Sequence, residues 1–179
     1  MDTNPETRSS NSGRGSPAVA PSKIVVPGNR GVKVVRSVIV RRPASELYGF
    51  WRNFENLPRI SKYGMTVTRQ SDTASHWSVA APFENGRVEW DAVVINDEPD
   101  RLIAWRSCDG AEIPNAGSVR FEPLPGDEGV EVKVALEYDA PGGKIGALLA
   151  KVTGEEPAQQ VEAALRRFKA LMETGAIPS

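Results

Sequence analysis

The sequence predicts an α+β fold, a curved seven-stranded antiparallel sheet wrapped around a long C-terminal helix, with two small helices after the first strand. Three observations predict it. Residues 155–174 (EEPAQQVEAALRRFKALMET) carry an unbroken helical period, with Val161, Ala164, Leu165, Phe168, Leu171 and Met172 on one side and Glu162, Arg166, Lys169 and Glu173 on the other. Residues 63–139 switch to a period of two, and residues 32–42 (VKVVRSVIVRR) form a separate β-branched run ahead of them.

Each element has its own signal. Residues 1–30 are rich in Ser, Asn, Pro and Gly without a structural period and read as a disordered leader, so the domain is expected to span residues 31–179. Pro43 falls at the N1 position of a helix whose stripe is Ala44, Leu47, Tyr48 and Trp51, and residues 54–60 make a second turn interrupted by Pro58. Six strands follow at 65–70, 75–81, 87–96, 102–107, 118–122 and 130–138, separated by turn clusters such as FENG, DEPD and LPGDEG. Val130, Val132, Val134, Leu136 and Tyr138 alternate with Glu131, Lys133, Ala135 and Glu137, the pattern of a strand with one face in water. Short connections predict a meander of hairpins. Residues 144–152 (KIGALLAKV) read as a short helix or lid weakened by glycine, at about 1 kcal/mol for each glycine in a helix, with a transient membrane contact as the second reading.

The last helix has marked ends, with Pro157 in the first turn, Glu155 and Glu156 at the positive end of the dipole, and Gly175 and Pro178 as a stop. Burying Val161, Leu165, Phe168, Leu171 and Met172 is worth roughly 8–15 kcal/mol together, so the helix needs an apolar surface to lie on. The sheet is that surface. A sheet curved around one helix diverges from it at one end, which predicts a cavity lined by core side chains.

Composition excludes several functions. The chain has 179 residues, 40% hydrophobic and 25% charged, with a net charge of -1, so it has no general attraction to nucleic acid or acidic lipid. One histidine and one cysteine, Cys108, allow no internal disulfide and supply no zinc set, so no metal is expected. PGGKIG lacks both GxGxxG spacing and a GK[ST] ending, so no phosphate-bound or dinucleotide cofactor is expected. The longest apolar run is too short to span a bilayer, and the default expectation is cytoplasmic.

The order of elements, together with FWRNFENLPRI, SHWSV, GRVEWDAVVINDEPDRLIAWRS, NAGSVRFEPL and the ending EEPAQQVEAALRRFKALMETGAI, resembles the START-like helix-grip (SRPBCC) superfamily. Within it the sequence is similar to bacterial proteins of the polyketide cyclase/dehydrase or coenzyme Q-binding START-domain branch. The resemblance covers about residues 32–177. It implies a hydrophobic pocket for lipids, quinones or polyketide-like molecules, which most members bind or carry and a minority cyclise or dehydrate.

Candidate chemistry is sparse. His76 reads either as a general base on a buried substrate or as a hydrogen-bonded surface residue. A Ser-His-Asp triad using Ser75 or Ser78 has no nucleophile elbow behind it. Glu89 and Asp91 flank Trp90 and read either as an acid/base couple or as a solvated outer face with Arg87 as salt partner. Arg106 shares a face with Leu102 and Ala104 on one parity, which puts a guanidinium at the cavity wall; the parity grouping Ile103 with Trp105 puts it outside. Tyr138 is the third candidate for proton transfer. The expected ligand contacts are Tyr48, Trp51, Trp77, Trp90, Trp105, Phe121, Leu136, Tyr138, Leu165, Phe168 and Met172. Binding of a small hydrophobic molecule therefore stands ahead of a cyclase or dehydratase, since no inward acid/base group stands out. An interaction module with a collapsed cavity is the third reading.

Overall fold

The computed structural model describes residues 32–62, 64–81, 86–111, 113–138 and 157–177. The leader and the helix expected at 144–152 lie outside these. The chain begins with β1 (Val32–Val40), then α1 (Ala44–Arg52) and a 3-10 helix, Phe54–Arg59. Pro43 sits one position earlier than expected, at the N-cap, where its carbonyl accepts from the N–H groups of Glu46 and Leu47 at 3.1 and 3.3 Å. Pro58 lies inside the 3-10 helix and supplies no N–H for an α-helical ladder, consistent with the tighter winding.

Six more strands follow: β2 (Thr66–Arg69), β3 (Ala74–Ala81), β4 (Gly86–Glu98), β5 (Leu102–Ser107), β6 (Asn115–Pro123) and β7 (Val130–Tyr138), and then α2 (Pro157–Thr174). All pair antiparallel in one seven-stranded sheet, in the order β1-β7-β6-β5-β4-β3-β2. The meander from β2 to β7 is as expected, and β1 closes against β7 from the far end of the sequence.

Alternation sets which side chains reach α2. Val130, Val132 and Val134 of β7, Val119 and Phe121 of β6, and Ile103 and Trp105 of β5 are buried in one cluster with Leu165 and Phe168 of α2. Glu131, Lys133, Arg120 and Arg106 occupy the opposite, convex face. Gly117 is required where Trp105 crosses β6: a Cβ there would lie 2.6 Å from Trp105 Cε2 and 2.9 Å from Leu136 Cδ2. The absent side chain is what lets the indole lie flat on the neighbouring strand.

One irregularity changes the parity of β4. The register with β5 shifts between Val94 and Asn96, so Ile95 is an extra residue and is 44% exposed. Beyond it Asp97 pairs with Ile103 on the concave side, where it accepts from the Tyr48 hydroxyl at 2.6 Å and from Arg52 Nε at 2.7 Å. No described helix is long and apolar enough to cross a membrane.

Candidate functional site

Between the first turns of α2 and the sheet lies a cavity of about 200 Å³. Its wall is built from three directions. Trp77, Trp105, Val134 and Leu136 rise from the sheet; Trp51, Leu57 and Ile60 come from α1 and the 3-10 helix; Val161, Ala164 and Leu165 come from α2. Ser61, Lys62, Gln160 and Arg167 contribute its polar edge, and Lys62, exposed to solvent, marks where it opens.

The aromatic floor is a continuous stack of rings. Trp77 stacks on Trp90 at 5.8 Å between centroids and on Trp105 at 6.4 Å, with interplanar angles of 21° and 17°. Phe54 meets both Trp77 and Trp105, at 5.3 and 5.1 Å. Trp77 Nε1 donates to the buried Ser75 hydroxyl at 2.8 Å, which fixes its ring and uses Ser75 structurally. Such a stack offers a flat apolar surface that does not need to reorganise when a ring settles on it.

Five of the expected contact residues meet at this cavity: Trp51, Trp77, Trp105, Leu136 and Leu165. The others lie elsewhere. Phe168 is fully buried between Phe50 and Trp51, and Phe121 is buried against the edge of Tyr48. Tyr48 points its hydroxyl at Asp97, and burial, followed by that hydrogen bond, raises its pKa above the usual phenol value. Trp90 stacks behind Trp77, and Met172 packs on the core further along α2. Tyr138 is half-buried and outside the wall, its phenol pushed up by burial.

The remaining candidates for catalysis are on the convex face. Trp105 pairs with Gly117 on the concave side, so the parity grouping Ile103 with Trp105 holds and Arg106 points out, about half exposed and 3.7 Å from Asp109. The alternative, with a guanidinium in the cavity wall, is corrected by this register. His76 pairs with Asp91 across β3 and β4, and its Nδ1 lies 2.8 Å from Asp91 Oδ1, with Glu89 Oε1 3.8 Å from Nε2. The Asp91 hydrogen bond is the main cause of a raised His76 pKa. Glu89 and Asp91 thus form a solvated outer face, but their partner is His76 rather than Arg87. Arg87 Nη2 instead donates to the backbone oxygens of Gly64 and Ser78, and Nε donates to the Ser78 hydroxyl. Among the described residues no cluster of His, Cys, Asp or Glu is arranged to hold a metal.

Sequence reasoning missed the rim. Lys62 and Met65 flank Gly64, whose φ of 53° turns the chain from the 3-10 helix into β2. The Tyr63-Gly64 pair is the local signal for that corner. Arg167 lies on the flank of α2, with Nη1 donating to the Ile60 carbonyl at 3.1 Å.

Residues 40–166, well over half of the chain, match the family described as polyketide cyclase / dehydrase and lipid transport. The chain belongs to that START-like, helix-grip family. A solved structure of DR_A0006 from Deinococcus radiodurans is 37% identical, with 81% of this chain and all of that one covered at a TM-score of 0.66. A START superfamily protein from Mycobacterium smegmatis shares the family fold at 16% identity, covering 78% of this chain and 98% of its own, with a TM-score of 0.57. The Zhui aromatase/cyclase from Streptomyces sp. R1128 does so at 13% identity, covering 83% and 99%, with a TM-score of 0.55. Among curated proteins no sequence matches this chain. The helix-grip match accounts for the sheet order and the clasped α2, and leaves the chemistry of the cavity to its own residues.

Proposed function

We propose that this helix-grip protein binds a small hydrophobic molecule between the sheet and α2 and carries it without converting it. One observation supports this above the others: the cavity wall is indole and aliphatic, and among the described lining residues there is no histidine, carboxylate, thiol or phenol. Acid/base turnover needs such a group within hydrogen-bond reach of the reacting atom. His76 and Arg106 are on the other side of the sheet, and Tyr138 is outside the wall. A cyclase or dehydratase reading would therefore have to rely on Lys62, an exposed amine at the rim, or on a group from outside these residues. The family description names both lipid transport and cyclase activity, and the wall chemistry favours the former.

Native mass spectrometry of the protein purified from its own host tests the reading. The expected result is a bound mass of one small apolar molecule that leaves on denaturation. Added apolar ligands should also quench indole fluorescence, because Trp51, Trp77 and Trp105 all face the cavity. A clean apo mass with no uptake of any added apolar molecule would remove the proposal.

A further inference from the structure

We propose that the occupant is a compact apolar acid, a single ring whose carboxylate sits at Lys62 and Arg167. This rests on reading the cavity as a ligand site and adds the class of ligand.

Size is the first argument. The cavity holds about 200 Å³. A dry apolar cavity of ~150 Å³ already admits benzene, whereas drug-sized ligands occupy about 300–1,000 Å³. One ring with short substituents fits within the wall.

Charge is the second. Lys62 and Arg167 both line the cavity, and no acidic residue joins them among the described lining residues. Arg167 uses one guanidinium nitrogen on the Ile60 carbonyl, which aims the group while leaving further N–H donors. Lys62 makes no hydrogen bond or ion pair with any described residue. Two cations on the rim of an apolar hollow favour an anion there, and a carboxylate matches the planar fork of arginine.

The indoles of the wall add apolar surface and no donor: Trp77 gives its N–H to Ser75, and the Trp51 Nε1 is buried away from the cavity space.

Calorimetric titration with 4-methoxybenzoate, its methyl ester, 4-methylbenzoate and naphthalene tests the assignment. The acid is expected to bind about tenfold tighter than its ester. Lys62→Met and Arg167→Met should each remove most of that advantage, read as the ratio of acid to ester affinity in the same variant. Circular dichroism confirms folding of each variant, and Lys62→Met, at an exposed position, keeps the test decisive if Arg167→Met does not fold. Equal affinity for acid and ester, with both charge variants unchanged, overturns the acid while the hydrophobic-ligand reading stands. Uptake of naphthalene alone has the same meaning. Uptake of none of the four overturns both.

Discussion

The two halves of α2 meet the same sheet in different ways. Toward its C-terminus, Phe168 is wedged between Phe50 at 5.1 Å and Trp51 at 5.6 Å, and a polar clamp ties the helix to the end of β1. In that clamp Lys169 Nζ donates to the Ile39 carbonyl and to Glu173, and Glu173 accepts the Arg41 backbone N–H at 2.8 Å. Toward its N-terminus, Val161, Ala164 and Leu165 face the cavity, and the tie to the sheet is an Arg36–Glu162 pair at 3.9 Å with both side chains about half exposed. Exposed pairs of that kind contribute little. Polar attachment is concentrated at one end; at the other, Leu165 is buried in the core while Val161 and Ala164 border the cavity.

Mutations sharpen this contrast. The largest expected effect is at the packed end: Phe168→Ala should cost about 3–5 kcal/mol by urea denaturation, through lost burial and a new void. A loss well under 1 kcal/mol would mean that this end is as loose as the other. Next, Gly117→Val should cost about 1–3 kcal/mol by overpacking Trp105, and should also abolish ligand uptake by pushing the indole into the cavity. At the open end, Ala164→Leu adds volume where a void exists. Stability is expected to stay within about 1 kcal/mol of wild type while uptake, followed by fluorescence, is lost; a large destabilisation would show that this wall is already tightly packed.

The clamp supplies a pH test. The Arg41 N–H, then the Lys169 pair, holds the Glu173 pKa below its ordinary value. A carboxylate whose folded pKa is depressed stabilises above its unfolded pKa, and that contribution fades as pH falls through the folded pKa. The gap in urea midpoint between wild type and Glu173→Gln should therefore narrow on acidification below about pH 4.5. A gap that widens would reverse the assignment. The smallest effects belong to the convex face. His76→Ala and Arg106→Ala should leave ligand affinity within about twofold of wild type, and a larger change in calorimetry would connect that face to the cavity.

Much of the fold was legible because its signals are local. The alternation in β7 and the stripe on α2 are written in side-chain spacing, and the ends of both strand and helix fall where turn and cap residues stand. β6 begins at Asn115 rather than Ser118 because Ala116 and Gly117 carry too little side chain to show alternation. The orientation of Arg106 was not legible, since Leu102, Ile103, Ala104 and Trp105 are all buried and only the pairing of Trp105 with Gly117 decides the face. The Ile95 bulge was hidden in the same way, inside a β-branched run of Val93, Val94 and Ile95. The cavity was foreseen from helix and sheet diverging, and five wall residues from aromatic and aliphatic patterning. Its rim was not foreseen, because Lys62 and Arg167 come from a corner and a helix flank that no periodic pattern marks.

The pairing of β1 with β7 also has a kinetic consequence. A ribosome finishes β1 long before it makes β7, so the sheet cannot close until most of the domain has been synthesised. The clamp on α2 follows later still, since it joins Arg41 to Glu173. Contacts so distant along the chain slow folding and leave an unpaired strand edge waiting during synthesis. The cavity therefore forms only after α2 has been synthesised, because Val161, Ala164 and Leu165 supply one of its walls.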